Sequence, residues 1–517
     1  MKKLTLLLCF VSFLTKAQNI TVASGKSFTI EKTGAVTMSG NFSNAGTFIL
    51  NSDSDEFSSL IIGGSVTGNI TYNRYVNSVG TNEWDLIGAP VSGQSINSFV
   101  TANTSTLATN GATKAIGYYN NTDNTWTNYT TSTIVGAGNF PLGKGFQMAT
   151  NANGTGILSF TGAPTATNQT WTIIDNDAAN SGAGTRWNLV ANPFPSYIYG
   201  NANADSSHNF LTVNSDKLND SYEAIYGYDA DGSGYTVYNN TSAALRLAPG
   251  QAFMVASDNA ENDTISFTTA MRTTTGGDDL IVGRDPIDSF ELVLKLYEGD
   301  SEIDHTKFYF GDGLSLNLDP GYDAGHFNQG ASLMSRLVEE DEGVGLVINA
   351  MGLESVNDVV APLELNIEAG NNFRISIGTF NIDTAINVYL EDNVQETMTL
   401  LNDQDFELTA ENELSGVGRF FIHLTETLLS IDDKIETNYL NVFKADVNNF
   451  ITVEGLANQS NGTKLRLYTI RGKEVTFTTL NNTNNKQTIS TQGLSTGIYI
   501  VKLESGNILL TKKLFIK

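Results

Sequence analysis

The sequence predicts an all-β, multidomain protein in which tandem duplicated β domains are followed by antiparallel β-sandwiches. Apolar and polar residues alternate over short runs bounded by Gly and Asn, the pattern of half-buried strands joined by turns. Two stretches separated by 103 to 107 positions match in order, and no long helical periodicity interrupts either. With 517 residues, 48 of them Gly and 10% of them aromatic, there is material for several cores.

Met1-Lys2-Lys3, the apolar run Leu4 to Leu14 and the small-residue site before Gln18 predict a secretory signal peptide over residues 1–17, cut between Ala17 and Gln18. The run is shorter than the roughly 20 residues a spanning helix needs, and no later segment reaches that length. Cys9, the single cysteine, lies inside it, so the mature chain is expected to carry no thiol, disulfide or thiolate metal site.

Residues 18–70 pair alternating apolar residues (Phe28/Ile30, Val36/Met38, Phe48/Leu50) with Gly turns, as coils of a solenoid or a meander would. The repeat follows, over residues 71–169 and 170–280. Trp84-Asp85-Leu86-Ile87-Gly88 matches Trp187-Asn188-Leu189-Val190-Ala191, Phe146 matches Phe253, and Ser159-Phe160-Thr161 matches Ser266-Phe267-Thr268. A period this long is a domain duplication, since solenoid periods run about 20 to 50 residues. Residues 281–430 read as an acidic β-sandwich, with Leu292/Leu294/Leu296, Leu363/Leu365/Ile367, Phe373/Ile375/Ile377 and Phe420/Ile422/Leu424 on buried faces.

The 55 acidic and 29 basic residues give a net charge of -26, which excludes nucleic acid and anionic membrane surfaces as partners and is compatible with cations or neutral ligands. Charge is uneven. Residues 285–430 hold 28 acidic and 5 basic side chains, whereas residues 431–517 hold 7 and 11.

Residues 431–517 form the last domain, and the run Leu467-Tyr468-Thr469-Ile470-Arg471-Gly472-Lys473-Glu474-Val475 sits in it. It is followed by Gly493-Leu494-Ser495-Thr496-Gly497-Ile498-Tyr499-Ile500-Val501-Lys502-Leu503 and by Lys512-Lys513. This order resembles the type A C-terminal sorting domain of type IX secretion cargo, with Gly472, Lys473, Gly497, Ile498, Tyr499, Ile500, Lys512 and Lys513 as the motif. The usual Tyr-Pro-Asn-Pro start is replaced by Tyr439-Leu440-Asn441-Val442-Phe443-Lys444. The resemblance implies a small β-sandwich recognised by the outer-membrane secretion machinery, and a cargo released or attached to surface lipopolysaccharide.

There is no HExxH and no His pair at metal-ligand spacing, the single GxSxG, Gly493-Leu494-Ser495-Thr496-Gly497, lies inside the last-domain run quoted above, and no catalytic residue is assigned. His423 alternates with Phe420, Ile422 and Leu424 and is expected on the less buried face of its strand. Asp229, Asp231 and Ser233 place oxygens at alternate positions as a calcium loop does, although a tight Asp/Gly turn explains them as well; no other cofactor is implied. Glu339-Glu340-Asp341-Glu342 is a second cation candidate, which a solvated loop accounts for. Of four tryptophans, Trp84 and Trp187 recur inside strand motifs and read as core, whereas Trp126, with Tyr235 as its approximate counterpart, is the candidate for stacking on a sugar ring. The reading is a non-enzymatic exported protein for adhesion or glycan binding; a secreted hydrolase acting on polysaccharide is the alternative, because its two carboxylates need not be close in sequence. Amino-terminal sequencing of the exported protein should start at or next to Gln18, and an intact Met1 would overturn the signal-peptide assignment.

Overall fold

The computed structural model describes residues 18–79, 84–152, 154–177, 184–229, 234–258, 262–277, 279, 290–327, 330–382, 385–426, 440–444, 450–459, 462–469, 472–495, 497–506 and 508–516. Ala17, Asp231 and Ser233 lie outside them.

The chain opens as a three-sided parallel solenoid. Ile20–Val22, Phe42–Asn44 and Val66–Thr67 stack on one side, Ser27–Ile30, Thr47–Asn51 and Ile70–Tyr75 on the second, and Ala35–Met38 and Ser59–Ile62 on the third. Val22, Ile30, Met38, Phe42, Phe48, Leu50 and Tyr72 fill its axis. The corners depend on Asn and Gly. Asn41 N–H donates to Asn19 Oδ1 and Ser65 N–H to Asn41 Oδ1, at 2.7 and 2.9 Å, so each rung satisfies the corner of the next. A Cβ on Gly40 would sit 1.5 Å from the Gln18 carbonyl, so only glycine lets the rungs close up there.

The two matching segments fold into sheets of the same order. Asp85–Ile87, Phe146–Met148, Thr113–Asn120 and Thr125–Thr130 are neighbours in the first, and Trp187–Ala191, Ala252–Ala256, Ile225–Asp229 and Gly234–Tyr238 in the second. The register agrees: Phe146 faces Ile87 where Phe253 faces Val190, and Tyr119 faces Trp126 where Tyr228 faces Tyr235. Each unit also carries one short helix, Ile96–Ala102 or Phe210–Asn214. Each helix is tied down by a buried asparagine. Asn103 Nδ2 donates to the Phe99 and Ser159 carbonyls while its Oδ1 accepts from Ser159 N–H, and Asn214 does the same with Phe210 and Ser266. The pairing of Ser98-Phe99-Val100-Thr101-Ala102-Asn103 with Asn209-Phe210-Leu211-Thr212-Val213-Asn214 was legible in the sequence but is absent from the repeat blocks above.

Across the seam between the units, Gly88 N–H donates to the Gly250 carbonyl at 2.7 Å and Ala191 N–H to the Gly143 carbonyl at 2.9 Å. Lys144 bridges Val190 as Gln251 bridges Ile87, an exchange that is reciprocal residue for residue. The seam needs small residues: a Cβ on Gly88 would lie 2.3 Å from that of Ala191, and Gly143 and Gly250 both adopt positive φ.

Residues 290–426 form one continuous sheet whose strands are antiparallel except for the parallel pair Ser301–Gly311 and Leu346–Gly352. It curls over itself, bringing Phe373 and Phe406 from one end against Phe420 near the other, so the sandwich is closed by a single sheet. The alternating Leu292/Leu294/Leu296, Leu363/Leu365 and Phe420/Ile422/Leu424 sets are buried in its core. Residues 440–516 build a second small sandwich, with Asn441–Phe443, Phe450–Glu454 and Gln487–Ser490 in one sheet. Its other sheet holds Glu474–Leu480, Thr463–Thr469, Gly497–Ser505 and Ile508–Ile516.

His423 departs from expectation. It is buried, with Nε2 2.8 Å from Glu391 Oε2 on the neighbouring strand, because Val417–Thr425 is a central strand covered on both faces. Three carboxyls elsewhere, Asp85, Glu223 and Asp323, are held up at about 7. Burial and the nearby Asp279 raise Asp85, burial and Asp220 raise Glu223, and burial raises Asp323 despite its bonds from Ala350 and Asp319 N–H.

Two outcomes follow from this packing. Asn103→Leu or Asn214→Leu should each lower stability by about 1–3 kcal/mol in denaturant titration, since the backbone of Ser159 or Ser266 loses its buried partners. For Asp85, a folded-state pKa of about 7, above the unfolded value of about 3.9, means that the folded chain holds this proton more tightly. Its contribution is therefore greatest below about pH 4 and is lost as pH rises towards 7. Asp85→Asn, which copies Asn188 of the second unit, should flatten that part of the pH–melting curve; an unchanged slope removes Asp85 from the account.

Candidate functional site

The two hairpins place the candidate aromatics at equivalent positions and treat them differently. In the first unit Tyr119 and Trp126 pair across the strands with ring centroids 5.2 Å apart. Tyr119 is fixed from behind, its hydroxyl 2.8 Å from Asn124 Oδ1 and 2.9 Å from Thr185 Oγ1. Trp126 is 37% exposed, flanked by the exposed Thr125 and Thr127, and Thr125 Oγ1 donates to Asp123 Oδ1 at the turn. The surface here is an indole face edged by hydroxyl, carboxamide and carboxylate groups.

In the second unit Tyr228 and Tyr235 stand 5.3 Å apart in the same geometry. Phe327, from the acidic domain, seats 4.2 Å from Tyr235 and 4.4 Å from Trp187. Tyr226 Oη donates to the Gly325 carbonyl, and Asn239 Nδ2 to that of Tyr322, so a whole segment of the acidic domain lies on this hairpin. Burial, with Tyr228 and Tyr119 beside it, pushes the Tyr235 hydroxyl up. Trp187 is thus packed at a domain interface, while Trp84 rests on Ala108, Ala115 and Ala149. Nothing in the sequence pairs Phe327 with Tyr235, because the contact joins residues 92 positions apart in different domains.

Of the calcium candidates only the Asp229 backbone is described, paired with Gly234 at the end of its strand. The histidines sit with carboxylates: His326 Nε2 is 2.8 Å from Asp304 Oδ2 in a buried pair, and His208 Nδ1 is 3.4 Å from Asp205 at the surface. Among the described residues no group of three or more His, Cys, Asp or Glu could hold a metal ion.

The motif residues of the last domain surround its four-stranded sheet. Gly472, at positive φ, makes the turn between two strands, with its N–H on the Thr469 carbonyl and the Lys473 carbonyl accepting from Thr469 N–H. Gly497, Ile498, Tyr499 and Ile500 begin the central strand, where the buried Tyr499 donates its hydroxyl to the Ser495 carbonyl. Lys512 and Lys513 are adjacent on the edge strand and differ: Lys513 is exposed, and Lys512 is half-buried with its ammonium on the Asp341 carbonyl. Burial lowers the Lys512 pKa against the pull of Asp341. The variant start retains its strand, since Asn441–Phe443 pairs antiparallel with Phe450–Glu454.

Asp341 does not lie in a solvated loop. It is buried against Arg336, which also meets Glu364 and Glu454. That cluster had no sequence signal, because its members lie 5, 28 and 118 positions from Arg336.

Comparison with known proteins agrees with the last domain and adds a family for the rest. A secretion system C-terminal sorting domain matches residues 445–517, which makes the chain a cargo protein of type IX secretion, exported for release or for attachment at the cell surface. No curated protein matches the chain. No helix among the described residues is long and apolar enough to cross a membrane. A domain of unknown function (DUF8693) matches residues 10–423, most of the chain, and the protein belongs to that family.

Proposed function

We propose that this exported cargo is a non-enzymatic adhesion protein that binds glycans through the Trp126 hairpin of the first unit. The unequal fate of two equivalent aromatic pairs carries the reading. Tyr235 is covered by Phe327, whereas Trp126 presents its ring to solvent on a hairpin with polar groups at its edge. An exposed indole supplies a flat apolar face with a polar rim, which suits the C–H face and hydroxyls of a sugar ring. The reading includes a tandem duplication, after which one copy took up domain packing and the other kept an open face. Tyr235 then serves as a packing residue and not as a ligand contact.

Two of the three carboxyls held up at about 7 have structural partners. Asp85 accepts from the Asn77 backbone and side chain, and Asp323 from two backbone N–H groups, so both hold loops together.

A glycan array probed with the full chain should give a defined set of bound glycans. Trp126→Ala should weaken binding at least tenfold with an unchanged melting temperature, while Tyr235→Ala should lower the melting temperature. Equal binding by Trp126→Ala, or no bound glycan, would overturn the assignment.

A further inference from the structure

The contact between the acidic domain and the sorting module centres on one buried guanidinium. Arg336 is 1% exposed and lies among three carboxylates. Asp341 takes its Nε and Nη2 at 3.2 and 2.8 Å, and Glu364 takes Nη1 at 2.9 Å, both from the acidic domain. The third, Glu454, comes from the sorting module and accepts Nη1 at 3.1 Å; its other oxygen lies 2.6 Å from Lys486 Nζ. From the module, Asn441 Nδ2 also donates to Asp341 Oδ2 at 2.9 Å, and Lys512 reaches the Asp341 carbonyl. Phe443 closes the cluster, its ring centroid 5.7 Å from Arg336 and 5.8 Å from Lys486. The ring fills the space at Gly343, where a Cβ would lie 2.1 Å from it. A second tie is made by Asn485 Nδ2, which donates to the Val417 carbonyl.

The charges divide in a telling way. Arg336, Asp341 and Glu364 leave the cargo side with one excess negative charge, and Glu454, Lys486 and Lys512 leave the module side with one excess positive charge. Docking sets each of these excess charges against its opposite. Burying charge is tolerated only where partners are placed this closely, so the geometry selects this one partner and orientation.

We infer that this face of the acidic domain is a binding surface for the sorting module itself, strong enough to hold residues 440–516 without the backbone connection. While docked, the module keeps Lys512 on the cargo and presents Lys513 to the secretion machinery.

The experiment places a site-specific protease sequence at residues 431–436 of the full chain and cuts it. The fragments should co-elute on gel filtration at micromolar concentration and separate progressively as salt is raised from 0.05 to 0.5 M. Glu454→Gln should weaken the association at least tenfold. Lys512→Ala, at the rim of the contact, should weaken it as well and keeps the test open if Glu454→Gln does not fold. In the intact chain an amine-acylating reagent should modify Lys513 at least tenfold faster than Lys512. Separation of the cut fragments at low salt, or equal labelling of the two lysines, would overturn the proposal.

Discussion

The first half of the molecule depends on one backbone hydrogen bond made twice over, Gly88 to Gly250 and Ala191 to Gly143. They join the exposed edges of two sheets, and an edge without a partner is a site for unwanted pairing. Each unit supplies what the other lacks. Small residues are required where Gly88 meets Ala191, the positions at which the strand motifs of the two units end, and Gly143 and Gly250 take the same left-handed turn. Once the seam is closed, the two hairpins are fixed relative to one another. The second unit presents Trp187, Tyr226 and Tyr235 to the acidic domain, and the first is left with Trp126 at the surface.

Charge governs the second half. With 28 acidic and 5 basic side chains over residues 285–430, the domain folds by placing its few cations where they neutralise carboxylates that burial would otherwise penalise. Arg419 makes a two-point contact with the buried Asp392, at 2.9 and 2.7 Å, and Arg336 gathers Asp341, Glu364 and Glu454. The buried His423–Glu391 and His326–Asp304 pairs each set an imidazole nitrogen 2.8 Å from a carboxylate oxygen. The Arg336 cluster reaches across a domain boundary, and the boundary is therefore specified by charge as well as by apolar contact.

Local pattern carried far in the sequence. Alternation placed Leu292, Leu294, Leu363, Phe420 and Ile422 on buried faces because side chains in a strand point to opposite sides whatever the strand pairs with. It misplaced His423 for the same reason: period two separates the faces of a strand but does not say whether the second face is covered, and in a central strand it is. The short apolar pairs of residues 18–70 were compatible with a solenoid or a meander, since both alternate. Parallel pairing at spacings of 20 to 24 positions, such as Phe28 with Phe48 and Val36 with Leu60, is what makes it a solenoid.

By itself the sequence determined the all-β character, the matching segments, the uneven charge and the sorting module, because each of these is written in neighbouring residues or in their order. Tertiary structure decided which of two equivalent aromatic pairs is open, which acid of Glu339-Glu340-Asp341-Glu342 is buried, and which of Lys512 and Lys513 is available. Those outcomes depend on Phe327, Arg336 and Asp341 arriving from distant parts of the chain. Burial and charge pairing are properties of the neighbours that folding brings together, and no local pattern contains them.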